Sequence, residues 1–258
     1  MSKEKEIARI LEAMGWVLLS HYVSDKEIKE WSTPEGIFKR FVIGLLDQGD
    51  VMQLKLVETY LNERGLFSYH ILKDMGKDKI TEILERFGYY AQFKFISKFK
   101  INKNLPPEGL MDIIKLVERY NGNLHKFYEE IKRKSKNMKD LYINLEKLVN
   151  DTDGPPKGLK IRFLGHKKFR VLIRDLAFSG VWDRELLEYI PIPVDIHVRE
   201  FFKQLDWGTE DKEIEEKASS LFNYPAIADI AIWEIHRTLC KSKKCDNCFI
   251  EICKKKRI

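Results

Sequence analysis

Apolar side chains return at intervals of three and four along most of this chain, and that period decides what it can fold into. Ile37, Phe41 and Leu45 lie on one stripe; Ile71, Leu72 and Met75 form a second, followed by Ile80, Ile83, Leu84 and Phe87. Leu110, Ile113, Ile114 and Val117, then Leu141, Leu145 and Leu148, continue the pattern. A period near 3.6 gathers such residues on one face of a helix, whereas a half-buried strand needs alternation, which is scarce here. The spacing therefore predicts an all-α protein. Helix breaks fall at Ser32-Thr33-Pro34, Leu105-Pro106-Pro107, Asp153-Gly154-Pro155-Pro156 and Pro191-Ile192-Pro193, where proline or glycine interrupts the backbone ladder. Ser32 or Thr33 is placed to cap a helix beginning at Pro34, with Glu35 in the first turn, where the helix dipole favours an acid.

The chain has 258 residues, enough to bury a substantial core as one large domain or two small ones. No apolar run approaches the ~18 residues of a membrane helix, so a membrane partner is not expected. Met1 is followed by Ser2-Lys3-Glu4-Lys5-Glu6 and an amphipathic stripe at Ile7, Ile10, Leu11 and Met14. That opening is unlike a secretory leader, and it predicts an intracellular protein whose thiols stay reduced. The formal net charge is +6, with basic residues massed at Lys241, Lys243, Lys244, Lys254, Lys255, Lys256 and Arg257, while acids dominate 210–216. A basic surface points to a polyanionic partner; a solvated tail is the plainer alternative.

All four cysteines, Cys240, Cys245, Cys248 and Cys253, fall within fourteen residues in the spacing C-x4-C-x2-C-x4-C. Thiolates brought to one point hold an iron–sulfur cluster or zinc; reduced or paired thiols are the third reading. Ligand spacing by itself leaves the first two nearly even.

A second constellation lies between the last two breaks. Phe163-Leu164-Gly165-His166-Lys167-Lys168 reads as a turn entering an amphipathic helix that ends Ala177-Phe178, and further on comes Ile190-Pro191-Ile192-Pro193-Val194-Asp195-Ile196-His197-Val198. Val194 to Val198 resembles the V-D-x-H-V segment of the helix-hairpin-helix DNA glycosylases, the superfamily of endonuclease III, MutY and 8-oxoguanine glycosylase. Lys167-Lys168 and the helix after it resemble the hairpin whose second helix begins at the catalytic lysine. Phe41 to Gln48 is similar to the family helix ending L-L-S-x-Q, and Ile83 to Tyr90 is similar to its I-x-x-x-G-[LF]-Y segment. The similarity spans residues 34 to 253 in the family's order. The proline-rich lead into Asp195 and the long spacer from Lys168 look like the archaeal 8-oxoguanine branch, whereas the cysteine loop falls where endonuclease III and MutY carry theirs.

The resemblance implies two helical lobes with a helix-hairpin-helix motif and a four-cysteine loop. The first lobe, residues 34–193, is a barrel-like helical lobe; the second combines 1–33 with 194–258, and the site falls in the cleft. It further implies a base-excision enzyme that flips a damaged or mismatched base out of double-stranded DNA and breaks its N-glycosidic bond. Asp195 is then the carboxylate that stabilises positive charge on the sugar, and Lys168 the amine that attacks C1′ and gives a lyase activity, possible substrates including 8-oxoguanine. Lys167, adjacent and cationic, depresses the Lys168 ammonium or takes its place. Gln48 approaches the bases. The family's hairpin turn carries two glycines and this one only Gly165, so His166, Lys167 or Arg170 supply part of the phosphate contact. The cysteines hold a [4Fe–4S] cluster, with zinc as alternative because two of the loops are shorter than in C-x6-C-x2-C-x5-C. Held in that way, Lys241, Lys243 and Lys244 meet the DNA backbone. A prokaryotic, nucleoid-associated cytoplasmic monomer follows from the same resemblance.

Each of these residues has a plainer reading. Asp195 is placed as the N-cap of a helix running through Phe201. Paired lysines are usually solvated or bind phosphate without reacting, and Gln48 and His197 serve equally well as structural polar groups. The alternatives in function are a monofunctional glycosylase for uracil, thymine mismatches or mispaired adenine, and a non-catalytic DNA-binding protein of the same fold. Nothing in the sequence accounts for the long stretch from Lys98 to Pro155.

Overall fold

A computed structural model describes residues 2–47, 51–90, 103–150, 159–241, 248–250 and 253. Among these the regular structure is helical and contains no strand. The helices are α1 (Lys3–Tyr22), α2 (Asp25–Trp31), α3 (Pro34–Leu46), α4 (Val51–Glu63), α5 (Tyr69–Arg86), α6 (Leu105–Arg119), α7 (Leu124–Lys134), α8 (Met138–Asn150) and α9 (His166–Phe178). A short 3-10 turn at Arg184–Glu188 leads to α10 (Ile196–Gln204), α11 (Asp211–Leu221) and α12 (Pro225–Ile235), which runs into a π-turn at His236–Cys240. None of the described helices is long and apolar enough to cross a membrane.

The chain forms two compact units, residues 26–172 and residues 1–25 with 173–258. The divisions expected from the breaks lay at 33/34 and 193/194. Ser32-Thr33-Pro34 instead joins two helices of one unit: Thr33 Oγ1 accepts from Gly36 N–H at 3.0 Å and caps α3. Gly36 lies so close to α2 that a Cβ there would stand 1.8 Å from the Glu30 carbonyl oxygen. The second division falls inside α9, where no sequence break marks it.

Within 26–172, α3 packs against α4, α6 and α7, α5 lies on α6, and α7 pairs with α8. Ile37, Phe41 and Leu45 of α3 are fully buried, as are Ile113, Leu116 and Val117 of α6. The helix α5 is interrupted at Gly76, whose φ of 69° turns the chain between its two apolar stripes. The stretch from Lys98 to Pro155 is, in its described part, three helices of this core; α6 is the one that braces both α3 and α5.

In the other unit α1 lies along α12, and α10 packs on α12 and the π-turn. Ile7, Leu11, Val198, Phe202, Trp207, Ile214, Ile232 and Ile235 share one apolar cluster. The carboxylate of Glu12 on α1 accepts from the backbone N–H groups of Asn223 (2.8 Å) and Tyr224 (3.1 Å), so α1 supplies the cap that opens α12. Gly15 allows the close contact: a Cβ there would meet the Ile227 carbonyl oxygen at 2.1 Å. Because that neighbour is backbone and cannot rotate away, Gly15→Ala is expected to destabilise this unit by roughly 1–3 kcal/mol or more. Urea unfolding followed by circular dichroism measures it, and an unchanged midpoint would contradict the close packing of α1 on α12.

Candidate active site

The approach to α9 is a chain of alternating anchors. Ile161 and Leu164 are each only 1% exposed, and the Ile161 N–H donates to the Leu148 carbonyl at 2.9 Å. Between them stand Arg162 and Phe163, and Phe163 has a φ of 65°, a left-handed conformation rare for a bulky residue. Gly165 follows, its carbonyl accepting from Phe169 N–H at 3.0 Å as α9 begins. A Cβ at Gly165 would meet nothing within 4 Å, so the protein itself imposes no glycine there.

The helix then separates the two lysines. Lys167 is exposed; Lys168 turns inward, part of its stem accessible and its amine end shielded. Its Nζ donates to the Leu45 carbonyl at 2.7 Å and to the Phe163 carbonyl at 3.0 Å, and stands 3.8 Å from the centre of the Phe163 ring. A neutral amine has two N–H donors and one lone pair, so two carbonyls use its donors and leave the pair available. An ammonium would direct its third proton at the Phe163 ring face, so these partners can hold either form and burial decides between them. Burial lowers the Lys168 pKa to about 7, the Asp47 carboxylate opposing and the Lys167 cation adding to the depression. The amine also lies between the carbonyl end of α3, which favours a cation, and the first turn of α9, which disfavours one. The net result is a lysine with a substantial neutral fraction near pH 7, the condition a nucleophilic or imine-forming amine requires.

Arg170 and His166 are differently placed. Arg170 is 6% exposed, and its Nε donates to Glu146 Oε1 on α8 at 3.3 Å. Tyr142 Oη donates to the same oxygen at 2.7 Å, and His166 Nδ1 lies 3.1 Å from it. Burial pushes the Glu146 carboxyl up, but the Tyr142 and His166 hydrogen bonds and the Arg170 charge hold it below its ordinary value. Arg170 is thus committed to a half-buried carboxylate. The outward-facing groups of the turn are Gly165, His166 and Lys167.

Asp195 stands at the start of α10 with extended backbone, and its Oδ1 accepts from the N–H groups of His197 (2.8 Å) and Val198 (2.9 Å). It is an N-cap, half-buried, on a helix anchored by Val198 and Phe202. His197 Nδ1 lies 2.9 Å from His236 Nδ1, and its ring meets Trp233 edge-on at 5.9 Å. His236 had no signal in the sequence beyond its own identity; only the fold pairs it with His197.

Of the four cysteines, Cys240 and Cys253 are buried in the apolar cluster that holds Phe202, Trp207 and Ile250, and Cys248 packs against the same cluster. Gln204 Oε1 lies 3.8 Å from Cys253 Sγ. Soft sulfur donors shielded from water suit iron–sulfur clusters or zinc. Among the described residues, however, no three His, Cys, Asp or Glu side chains gather as a metal-binding group. Cys245, Lys243, Lys244 and Gln48 lie outside the described residues; Lys241 is described and exposed.

Comparison of the chain with models of known families, with curated proteins and with solved structures gives no match.

The Lys168 amine has a thermodynamic signature. With a folded pKa of about 7 against an ordinary 10.5, it binds fewer protons folded than unfolded between those values. Its contribution to stability therefore increases as pH rises from about 7 to about 10.5 and is flat below 7. Lys168→Met is expected to remove that increase, a difference on the order of a few kcal/mol between neutral and alkaline pH. Urea titrations of both proteins across this range measure it; parallel curves would refute a depressed lysine.

Proposed function

We propose that this protein is a base-excision DNA glycosylase with an associated lyase activity, Lys168 being its nucleophile. The observation that carries the reading is the buried amine on the first turn of α9, with two backbone carbonyls taking two donors and a pKa near 7. An ordinary surface lysine is almost wholly protonated at neutral pH and attacks carbon poorly; this one is not. The turn before α9 is the hairpin of this reading. Gly165, with open space where a Cβ would stand, leaves room for a phosphate to approach the backbone, and His166 and Lys167 face outward beside it.

In the reaction, the neutral Lys168 amine forms a bond to C1′ as the bond from C1′ to the base breaks and the base leaves with the electron pair. The proton lost from nitrogen goes to the departed base, the C1′–O4′ bond breaks with O4′ taking a proton from water as the iminium forms, and water removes a C2′ proton as the 3′ phosphate leaves with the C3′–O electron pair. Water then hydrolyses the imine and regenerates the lysine. Asp195, a carboxylate on a fixed helix start, stabilises the positive charge that builds on the sugar as the base departs. Cys240, Cys245, Cys248 and Cys253 would hold a [4Fe–4S] cluster, zinc being the alternative; such a group would serve to fix the loop carrying Lys241, Lys243 and Lys244 rather than to break bonds.

A second reading rests on the same two hydrogen bonds. Lys168 Nζ satisfies a terminal carbonyl of α3, a structural task, and base release then proceeds through an activated water without a covalent adduct. Borohydride reduction on duplexes carrying single lesions separates the readings. The first expects a protein–DNA adduct, reduced at least about a thousandfold in Lys168→Gln; base release without an adduct supports the second, and binding without either leaves a DNA-binding protein. Asp195→Asn is the companion variant, because asparagine caps a helix as well as aspartate does. It is expected to melt like the wild type while base release falls roughly 10²–10³-fold; unchanged turnover would reduce Asp195 to its cap. For the cysteine loop, protein purified without oxygen is expected to show a broad absorbance at about 400 nm, a cluster property, and a colourless protein with stoichiometric zinc would overturn that assignment.

A further inference from the structure

The helix α6 reaches the residue before Phe163 by every group that residue possesses. The Arg162 N–H donates to Asp112 Oδ2 at 3.2 Å, its Nε donates to the same oxygen at 2.7 Å, and its second terminal nitrogen donates to Asp112 Oδ1 at 2.8 Å. The remaining terminal nitrogen donates to Glu108 Oε2 at 2.9 Å. Its carbonyl lies against Gly109, where a Cβ would come within 2.2 Å of the oxygen. Asp112 is 4% exposed, so the fork is a charge-assisted bidentate pair partly withdrawn from water.

Such a clasp is more than residue 162 needs for its own stability. Its neighbour Phe163 occupies the left-handed region at a cost of about 1–2 kcal/mol, and backbone of that kind persists only where surrounding contacts over-determine it. Ile161 is fixed on one side by burial and its bond to Leu148, and Leu164 is fixed on the other by burial. Phe163 is the residue whose φ absorbs the geometry between fixed points. Its conformation brings both its carbonyl and its ring to the Lys168 amine.

We propose that the Asp112–Arg162 clasp is a positioning device for Lys168: by holding Phe163 left-handed it keeps one of the amine's two carbonyl partners in place and directs Nζ. Arg162 and Asp112 are positioning residues that touch no substrate. The inference rests on Lys168 being the nucleophile for its catalytic meaning, but the geometric claim stands on this unit alone. With the clasp cut, Phe163 relaxes toward negative φ, its carbonyl swings away, and water reaches the amine. Since burial is the largest cause of the depressed Lys168 pKa, rehydration raises it.

The test is competitive labelling of the whole protein with acetic anhydride across neutral to alkaline pH, read lysine by lysine by mass spectrometry. Asp112→Asn keeps the shape but removes the charge; Arg162→Lys keeps the charge but cannot form the fork, and serves if the first does not fold. In either variant the midpoint for Lys168 is expected to rise by about one unit or more, cutting the neutral amine near pH 7 about tenfold, with the other lysines unmoved. The borohydride-trapped yield on abasic duplex falls in proportion, and raising the pH restores it. Gly15→Ala, destabilised in the other unit, is expected to leave the Lys168 profile unchanged, which separates positioning from loss of stability. Folded clasp variants with a wild-type Lys168 profile would overturn the proposal, as would a wild-type Lys168 that labels like a surface lysine. A wild-type protein with a depressed profile but no adduct on DNA refutes the nucleophile instead, while a shift in the clasp variants still establishes the positioning.

Discussion

An α-helix leaves its first N–H groups and last carbonyls without partners, and a chain with this many helices must pair those ends before it can bury them. Many ends are paired locally, but several are paired by side chains from elsewhere in the sequence. Thr33 and Asp195 cap their own helices, but α12 is opened by Glu12, more than two hundred residues away. The end of α3 is closed by two distant donors: Lys168 on the Leu45 carbonyl and Tyr89 Oη on the Leu46 carbonyl at 2.9 Å. Some helix ends are thus points at which remote segments are tied together; Lys168 closes such an end, whereas Asp195 caps the helix it begins. A reactive group that also satisfies a helix terminus is held without any element built for the purpose.

The helices and much of the core were legible because burial follows a period. Ile37, Phe41 and Leu45, or Ile113 and Val117, disappear from solvent where the spacing places them. A cap at Ser32 or Thr33 was legible for a local reason, since a hydroxyl just before a helix start reaches the N–H groups of the first turn; Thr33 takes that place while Ser32 donates to the Ile28 carbonyl. Lys168 was singled out from Lys167 by the resemblance alone; periodicity and charge read the two alike. Which lysine turns inward depends on the phase of α9 against α3, and that is a tertiary property. Arg170 read as a phosphate contact on the strength of its charge, but its helix phase sends it to Glu146.

What stayed hidden has one physical character: it depends on two segments meeting. Nothing in Phe163 announces a left-handed backbone, because the conformation is imposed by anchors on either side and by α6, some fifty residues earlier. Nothing in Asp112 distinguishes it from the solvated acids of an amphipathic helix until Arg162 arrives. His197 and His236 pair across thirty-nine positions of sequence. The stretch containing α6 looked like surplus length, yet it carries Asp112, Glu108 and Gly109. Gly109 in particular reads in sequence as a weak point of a helix, whereas in space it is the gap that admits a carbonyl.

The dependence of α12 on Glu12 and Gly15 has a consequence for how the chain is made. Glu4 of α1 pairs with Lys217, and Glu12 with the N–H groups of Asn223 and Tyr224, so the apolar face of α1 is covered only when segments some two hundred residues further along the chain are present. Residues 26–172 form a compact unit with a core of their own. Residues 26–172 are thus an insertion between the two segments of the other unit, and pairing α1 with α12 closes a long loop, with the entropic cost that entails. Unpaired, α1 leaves the apolar stripe of Ile7 and Leu11 facing water.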